Sequence, residues 1–189
     1  MAPDPHRALK SRPWDQPPRS MLPGVAPTHL ILARNNVMAA QLYGFRVWPT
    51  MFAFTLLMYV NPNLRPVDSD LCEHPVFVPS HVRREDRCSR LRLFEMGVVF
   101  PDGSRGSNLT NQSQRSWDPA AEPTPPLVTG AGGGGAGGHI EYTWRVWPLP
   151  PPGRVQFWCR WPHFDMPTCR ADLDAEVLLS AAERATPLW

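Results

Sequence analysis

The chain has 189 residues, a nearly balanced formal charge of +2 and an unusually high proline content of 24 residues. Each proline in a helix interior costs about 3 kcal/mol, so this content excludes a helical bundle and a coiled coil. Binding to nucleic acid usually requires a basic stripe and a pI above about 9, whereas this sequence has a pI of about 8.5 and therefore predicts no nucleic-acid partner.

The first 35 residues carry seven prolines and show no sustained apolar periodicity. Such a segment buries too little apolar surface to offset the entropy lost on ordering. We therefore expect a disordered, proline-rich tail over 1–35, followed by a single domain over 36–189. The opening residues lack the charged and apolar regions of a secretory signal, which predicts a cytoplasmic protein with reduced thiols.

Two runs rich in β-branched and aromatic residues, Val37–Trp48 and Met51–Val60, flank Pro49-Thr50 and predict a β-hairpin. In the second run both alternating faces are largely apolar, which is typical of a central strand covered on two sides. The run has ten residues, whereas a membrane-spanning helix needs about 17–25 apolar residues. We therefore expect no association with a membrane.

The long connection over 61–90 holds a candidate metal site. Cys72, His74, His81 and Cys88 offer two thiolates and two imidazoles, a ligand set that tetrahedral zinc prefers. Their spacing lacks the Cys-x2-Cys and His-x3-His pairs of familiar zinc sites. We therefore expect a protein without a cofactor and keep zinc as the alternative.

The strand pattern resumes at Leu91–Phe100, where Asp102-Gly103 predicts a tight turn and Arg105–Leu109 a returning strand. The following segment, 110–138, is polar, then proline-rich and finally glycine-rich. It lacks the Lys and Ser/Thr that close a phosphate-binding loop. The composition therefore predicts a flexible loop over 110–138.

Two tryptophan-rich runs, His139–Trp147 and Arg154–Trp161, predict a second hairpin joined by the proline-rich bridge 148–153.

The tail predicts the one helix, over about 172–185, because Asp172 can cap it and acidic residues occupy its first turn. Hairpins without crossover helices imply antiparallel pairing. The sequence thus predicts a mainly β protein: an antiparallel β-sandwich-like domain with long loops and one C-terminal α-helix.

The second predicted hairpin offers a candidate binding face. Alternation along its two strands places Trp147 and Trp158 on the outer side with Arg145 and Arg160, if Trp144 points into the core. Aromatic rings beside guanidinium groups suit a sugar ring, a peptide or a partner protein. The alternative is that the C-terminal helix or a proline-rich loop covers this face.

Four C-terminal segments carry a resemblance. These are the glycine run Gly132–Gly138, the string VWPLPPPG at Val146–Gly153, FWCRWP at Phe157–Pro162 and the ending PLW at Pro187–Trp189. They resemble a family of short uncharacterised actinobacterial proteins. The resemblance implies a strand-rich cytoplasmic protein and assigns no functional residue.

The sequence has no Gly-x-Ser-x-Gly motif, and neither Cys159 nor Cys169 lies in a known protease motif. The sequence therefore favours a non-catalytic binding or interaction module, whose partner is a protein or a small ligand. The alternative function is a small zinc-binding protein or metalloenzyme that uses Cys72, His74, His81 and Cys88.

Overall fold

The computed structural model describes residues 12–36, 38–61, 63, 94–110, 122–136, 139–161 and 166–189. Its elements in chain order are β1 (Met21–Leu22), β2 (Gly24–Ala26), β3 (Leu30–Arg34), β4 (Met38–Trp48), β5 (Met51–Val60), β6 (Glu95–Val99), β7 (Arg105–Ser107), β8 (Leu127–Ala136), β9 (His139–Trp147), β10 (Arg154–Trp161), β11 (Met166–Asp174), α1 (Ala175–Glu183) and β12 (Thr186–Pro187). The predicted mainly β fold with a C-terminal helix is confirmed.

Two antiparallel sheets pack against each other. The larger sheet has the order β2-β4-β5-β9-β8, with β3 also paired to β4, and the smaller sheet has the order β11-β10-β6-β7. Both sheets contribute buried side chains to one core. Phe54 of the larger sheet and Phe157 of the smaller meet edge to face, with ring centroids 5.3 Å apart. The arrangement is a β-sandwich.

The predicted first hairpin is present as β4 and β5, and β5 lies between β4 and β9. Its inward residues Phe52, Phe54, Leu56 and Met58 are completely buried. On its other face Met51 and Ala53 are also buried, whereas the residues toward the far end become progressively exposed. The outer face of β5 is thus covered at one end and open at the other.

The prediction of a disordered tail is wrong for residues 21–34, which form β1, β2 and β3. Pro23 and Pro27 flank β2 and do not interrupt it, so no ladder N–H group is lost. Gly24 then lies against α1, where an added Cβ would collide with the carbonyl of Ala181. Tertiary pairing orders a segment whose composition alone favours disorder.

The predicted flexible loop over 110–138 is wrong for Leu127–Ala136, which is strand β8 and pairs with β9. The glycines leave room for the Tyr142 side chain to lie over the strand. A Cβ added at Gly130 would come within 2.6 Å of the Tyr142 phenol oxygen, so a larger residue there would collide with it. Gly132, at a bulge in the strand, has φ of +117°, which favours glycine. Contact with a neighbouring strand thus overrides a low strand propensity.

The predicted second hairpin is also wrong, because its two strands belong to different sheets. β9 pairs with β5 and β8, whereas β10 pairs with β6 and β11. The bridge 148–153 therefore crosses from one sheet to the other, with Leu149 packed against the core. Prolines supply no backbone N–H groups for a ladder, so they suit this crossing better than a hairpin turn.

The remaining local predictions agree with the structure to within a few residues. β6 and β7 form the expected hairpin, and the side chain of Asp102 accepts a hydrogen bond from the Ser104 N–H at 2.9 Å in its turn. The helix begins later than expected, since Asp172 still pairs within β11 and Asp174 is the N-cap. Among the described residues, every helix is too short or too polar to cross a membrane.

Candidate functional site

The outer face of the larger sheet carries an open groove with a volume of about 480 Å³. Strands β4, β5, β8 and β9 supply its lining, which consists of Tyr43, Thr55, Gly133, Gly134, Gly135, His139, Glu141, Tyr142 and Thr143. We call this feature the outer groove. Aromatic, hydroxyl and carboxylate groups thus meet above a rigid sheet.

The middle of the outer groove is a row of hydroxyl side chains. Tyr43 is directly opposite Thr55 in the β4–β5 register, and Thr55 is directly opposite Thr143 in the β5–β9 register. Directly opposite residues of antiparallel strands project from the same face. Three hydroxyl groups therefore project side by side, and all three residues are half-buried.

A short hydrogen bond crosses the outer groove from β4 to β9. The Tyr43 phenol donates to Glu141 Oε1 at 2.6 Å. This bond, together with burial and the carboxylate charge, raises the pKa of Tyr43 above its ordinary value. The phenol is therefore held as a donor, and the carboxylate is held in place with acceptor capacity beyond this one bond.

Two stacked rings stand at one end of the outer groove. Tyr59 and His139 are cross-strand partners whose ring centroids lie 4.9 Å apart at an interplanar angle of 21°. Tyr59 is 53% exposed, and its neighbour on β4 is the small residue Ala39. The pair therefore presents an aromatic surface to solvent, and the row of Leu57 and Glu141 separates it from the hydroxyl row.

Strand β8 borders the outer groove on the side of β9, and its glycines have no side chains that could fill the groove. Gly134 is the partner of Glu141, and a Cβ added at Gly134 would meet no atom within 4 Å. A larger residue at Gly134 would therefore project into open space above the sheet. The glycine run, which the sequence presents as a linker, is a strand that leaves the groove accessible.

The charge around the outer groove disfavours anionic ligands. Among the described residues, its lining contains one carboxylate, Glu141, and no Arg or Lys. The nearest basic row on the same face holds Arg46 and Arg145, which flank Ala53. Arg145 donates to the backbone carbonyl of Asp15 at 2.9 Å, and burial lowers the pKa of its guanidinium group. Its donors are thus partly engaged by the chain itself.

Beyond the arginine row, the same face ends in an apolar cluster that the N-terminal segment 12–22 covers. Its buried members are Trp48, Met51, Ala53, Leu127 and Trp147, and Trp14 and Met21 pack against them. The rings of Trp14 and Trp147 meet edge to face at 5.7 Å. Trp147 is only 9% exposed, so it does not offer the open surface that the sequence suggests.

The other two residues of the predicted binding face lie on the opposite side of the molecule. Trp158 is on the outer face of the smaller sheet, where its indole lies over Gly97. Arg160 forms an ion pair with Glu95 at 2.6 Å on that face. Trp147 and Arg145 therefore lie on one sheet and Trp158 and Arg160 on the other, and the four residues form no common site.

Sequence reasoning missed the outer groove because its residues come from distant strands. The local signal is the alternation of His139, Glu141 and Thr143 with the buried Ile140 and Trp144. That pattern identifies the exposed side of one strand. Only the pairing of the central strands shows which other residues lie beside it.

The predicted zinc ligands Cys72, His74, His81 and Cys88 lie outside the described residues. Within the part of the chain that the structure describes, no group of three or more His, Cys, Asp or Glu side chains is arranged to hold a metal ion. The zinc hypothesis stays a prediction, and elemental analysis of purified full-length protein tests it.

Comparison with known proteins gives no functional lead. No protein-family model matches the chain, no curated protein matches it, and no solved structure matches it. The resemblance to the actinobacterial family therefore stays a prediction, and the geometry of the outer groove is the basis on which a function can be inferred.

Proposed function

We propose that the protein is a non-catalytic binding module whose outer groove takes a neutral saccharide. The observation that carries this proposal is the Tyr43–Glu141 hydrogen bond of 2.6 Å beside the hydroxyl row of Thr55 and Thr143. This arrangement fixes donors and acceptors on a rigid surface. Ligand sites commonly combine a concave surface with a few such fixed polar groups.

The chemistry of a sugar ring matches the outer groove and the Tyr59–His139 stack at its end. Its hydroxyl groups can bond to the carboxylate of Glu141 and to the hydroxyls of Thr55 and Thr143. Its less polar C–H face can pack on the rings of Tyr59 and His139, since an aromatic side chain combines an apolar face with a polar edge. The stacked pair lies on the same sheet face as the hydroxyl row.

The charge of the outer groove supports a neutral ligand and binding without hydrolysis. Glu141 repels anions, and among the described residues no Arg or Lys lines the groove to offset its charge. Glycoside hydrolysis commonly uses two carboxyl groups on either side of the scissile bond. The lining supplies one, which is already bonded to Tyr43.

The test is a panel of immobilised neutral oligosaccharides, followed by calorimetric titration of the full-length protein with any that bind. Glu141→Gln is expected to weaken binding at least about tenfold, because a hydrogen bond to a charged group contributes about 1.5–3 kcal/mol. Asp172→Asn is the matched control, since Asp172 is an exposed carboxylate on the smaller sheet. Equal weakening by both substitutions would contradict the proposal.

A second variant blocks the outer groove without removing a polar group. Gly134→Trp is expected to abolish binding, because its side chain would project over the groove from an open position. Thr168→Trp, at an exposed position of β11, is expected to bind as the wild type does. The proposal is wrong if no neutral oligosaccharide binds the folded protein, or if Gly134→Trp binds normally.

A further inference from the structure

The smaller sheet places two cysteines side by side. Cys159 of β10 and Cys169 of β11 are direct partners in the antiparallel register. Cys159 is completely buried, and Cys169 is partly buried and packs against the same core. Since directly opposite residues share a face of the sheet, both thiols point to the interior side.

The neighbouring strand β6 shows which kind of pair the cysteines form. Met96 is the partner of Cys159 on β6, and its N–H donates to Asn108 Oδ1 at 2.9 Å, on the side of β7. Met96 therefore points its backbone groups away from β10. In an antiparallel ladder, the N–H and C=O groups of two directly opposite residues point either toward each other or away from each other. Since those of Met96 point away from Cys159, those of Cys159 point away from Met96 and toward β11.

Cys159 and Cys169 are therefore a hydrogen-bonded pair, with a Cα separation of about 5.5 Å. Disulfides span Cα separations of about 4.4–6.8 Å, so the backbone distance is suitable. The Cβ atoms of such cross-strand pairs lie about 4.5–5.5 Å apart, whereas a disulfide needs about 3.5–4.5 Å. Because hydrogen-bonded pairs lie at the wider end of that range, bond formation requires the Cβ atoms to approach by about 1–2 Å.

The local structure allows this approach. β11 ends the order of the smaller sheet, so within the described residues it has one strand partner there. The β10–β11 register also shifts between Cys159 and Trp161, directly beside the cysteine pair. The Cys169 thiol, which is a weak donor, donates a hydrogen bond of 3.5 Å to the Pro167 carbonyl. β11 can therefore move at this point without disturbing a second ladder.

We propose that Cys159 and Cys169 are an oxidative modification site that closes to a cross-strand disulfide on reaction with a small-molecule disulfide. The more accessible Cys169 thiolate attacks one sulfur of the oxidant and releases the first thiolate. The Cys159 sulfur then attacks the Cys169 sulfur, the mixed disulfide breaks, and the second thiolate leaves. The two protons from the cysteines convert the leaving groups to thiols, and the oxidant gains the two electrons that the cysteines lose.

Burial explains why the pair is a dithiol before it meets an oxidant. Burial raises the pKa of the Cys159 thiol to about 12, and it also raises that of Cys169. Both thiols are therefore protonated at neutral pH, and the thiolate is the reactive form. This places the first attack at Cys169, which is the less buried of the two.

The test uses full-length protein carrying Cys72→Ser and Cys88→Ser, so that only the proposed pair remains. After incubation with oxidised glutathione, we expect an intact mass lower by two hydrogens and a non-reduced digest in which the peptides of Cys159 and Cys169 are joined. Dithiothreitol is expected to restore the original mass. With Cys169→Ser added, the two-hydrogen loss is expected to disappear.

Two results would overturn this inference. One is a folded protein whose Cys169 carries a lasting glutathione adduct and never joins Cys159. The other is a pair that stays reduced in the folded protein and joins only after denaturation in urea. If the double serine variant does not fold, the same peptide mapping on the wild type distinguishes a 159–169 link from one that involves Cys72 or Cys88.

Discussion

The hydrogen bond to Glu141 changes the acid–base chemistry of the Tyr43 phenol on the outer face of the larger sheet. Because the pKa of Tyr43 lies above its ordinary value of 10.0 in the folded protein, the protonated phenol favours the folded state. That contribution is complete below the ordinary pKa and is lost as pH rises through the folded-state pKa. The phenol thus remains a donor at neutral pH.

We therefore expect the phenolate absorbance that Tyr43→Phe removes to develop above pH 10.0 in the wild type. Glu141→Ala is expected to move that midpoint down toward the ordinary value, because the hydrogen bond to Glu141 is the largest cause of the shift. Ultraviolet difference titration of the three proteins measures this directly. An unchanged midpoint in Glu141→Ala would contradict the role given to the bond.

Two glycines that lie in strands, Gly97 and Gly134, allow a matched comparison of alanine substitutions. Gly97 lies under the Trp158 ring, where an added Cβ would collide with the indole, whereas a Cβ at Gly134 would meet open space. Gly97→Ala is expected to destabilise the protein by about 1–3 kcal/mol through overpacking. Gly134→Ala is expected to leave stability unchanged or raise it by up to about 1 kcal/mol through the unfolded state.

Urea denaturation followed by far-ultraviolet circular dichroism compares these two alanine variants. A loss of stability in Gly97→Ala should be accompanied by a change in tryptophan fluorescence, because the Trp158 indole must move. Equal stability of the two variants would show that Trp158 does not rest on Gly97.

Among the elements, the N-terminus of α1 has two candidate N-cap residues, Asp172 and Asp174. The sequence offers Asp172 as N-cap, whereas the structure gives that place to Asp174, whose side chain accepts from the Glu176 N–H at 3.0 Å. Asp172 instead lies 3.4 Å from Arg154 in an exposed ion pair. Exposed pairs of this kind contribute about 0–1 kcal/mol.

Asp174→Ala is therefore expected to lower the free energy of unfolding by about 0.5–2 kcal/mol, the usual cost of losing an N-cap. Asp172→Ala is expected to cost less, and Asp174→Asn is expected to retain most of the wild-type stability because asparagine also caps. Denaturation midpoints of the three variants decide the matter. A larger loss in Asp172→Ala than in Asp174→Ala would favour the cap that the sequence suggests.

The elements also show how far local sequence signals reach. The β4–β5 hairpin follows from apolar alternation around Pro49-Thr50, and the β6–β7 hairpin from Asp102-Gly103, because each signal lies within the segment it shapes. Strand β8 could not be predicted from its own sequence, because the Tyr142 ring that packs over its glycines belongs to β9. The outer groove escaped for the same reason, as it joins Tyr43 to Glu141 across 98 positions of sequence.

For the whole molecule, strands from the two ends of the described chain pair with each other in a separate two-stranded sheet. β1 pairs with β12, and the Leu188 N–H donates to the Ser20 carbonyl at 2.9 Å. The N-terminal segment 12–22 also covers the apolar cluster around Trp147 on the larger sheet. Segment 12–22 therefore covers one end of the outer face, away from the outer groove.

Trp14→Ala is therefore expected to destabilise the full-length protein by about 1–3 kcal/mol, the range for removing a large apolar side chain from contact. It should also shift tryptophan emission to longer wavelength, because Trp147 would gain access to water. Trp189→Ala is the control, since Trp189 is 95% exposed and its loss is expected to leave the unfolding midpoint in place. If the two variants unfold at the same denaturant concentration, the contact of Trp14 with Trp147 does not stabilise the sandwich.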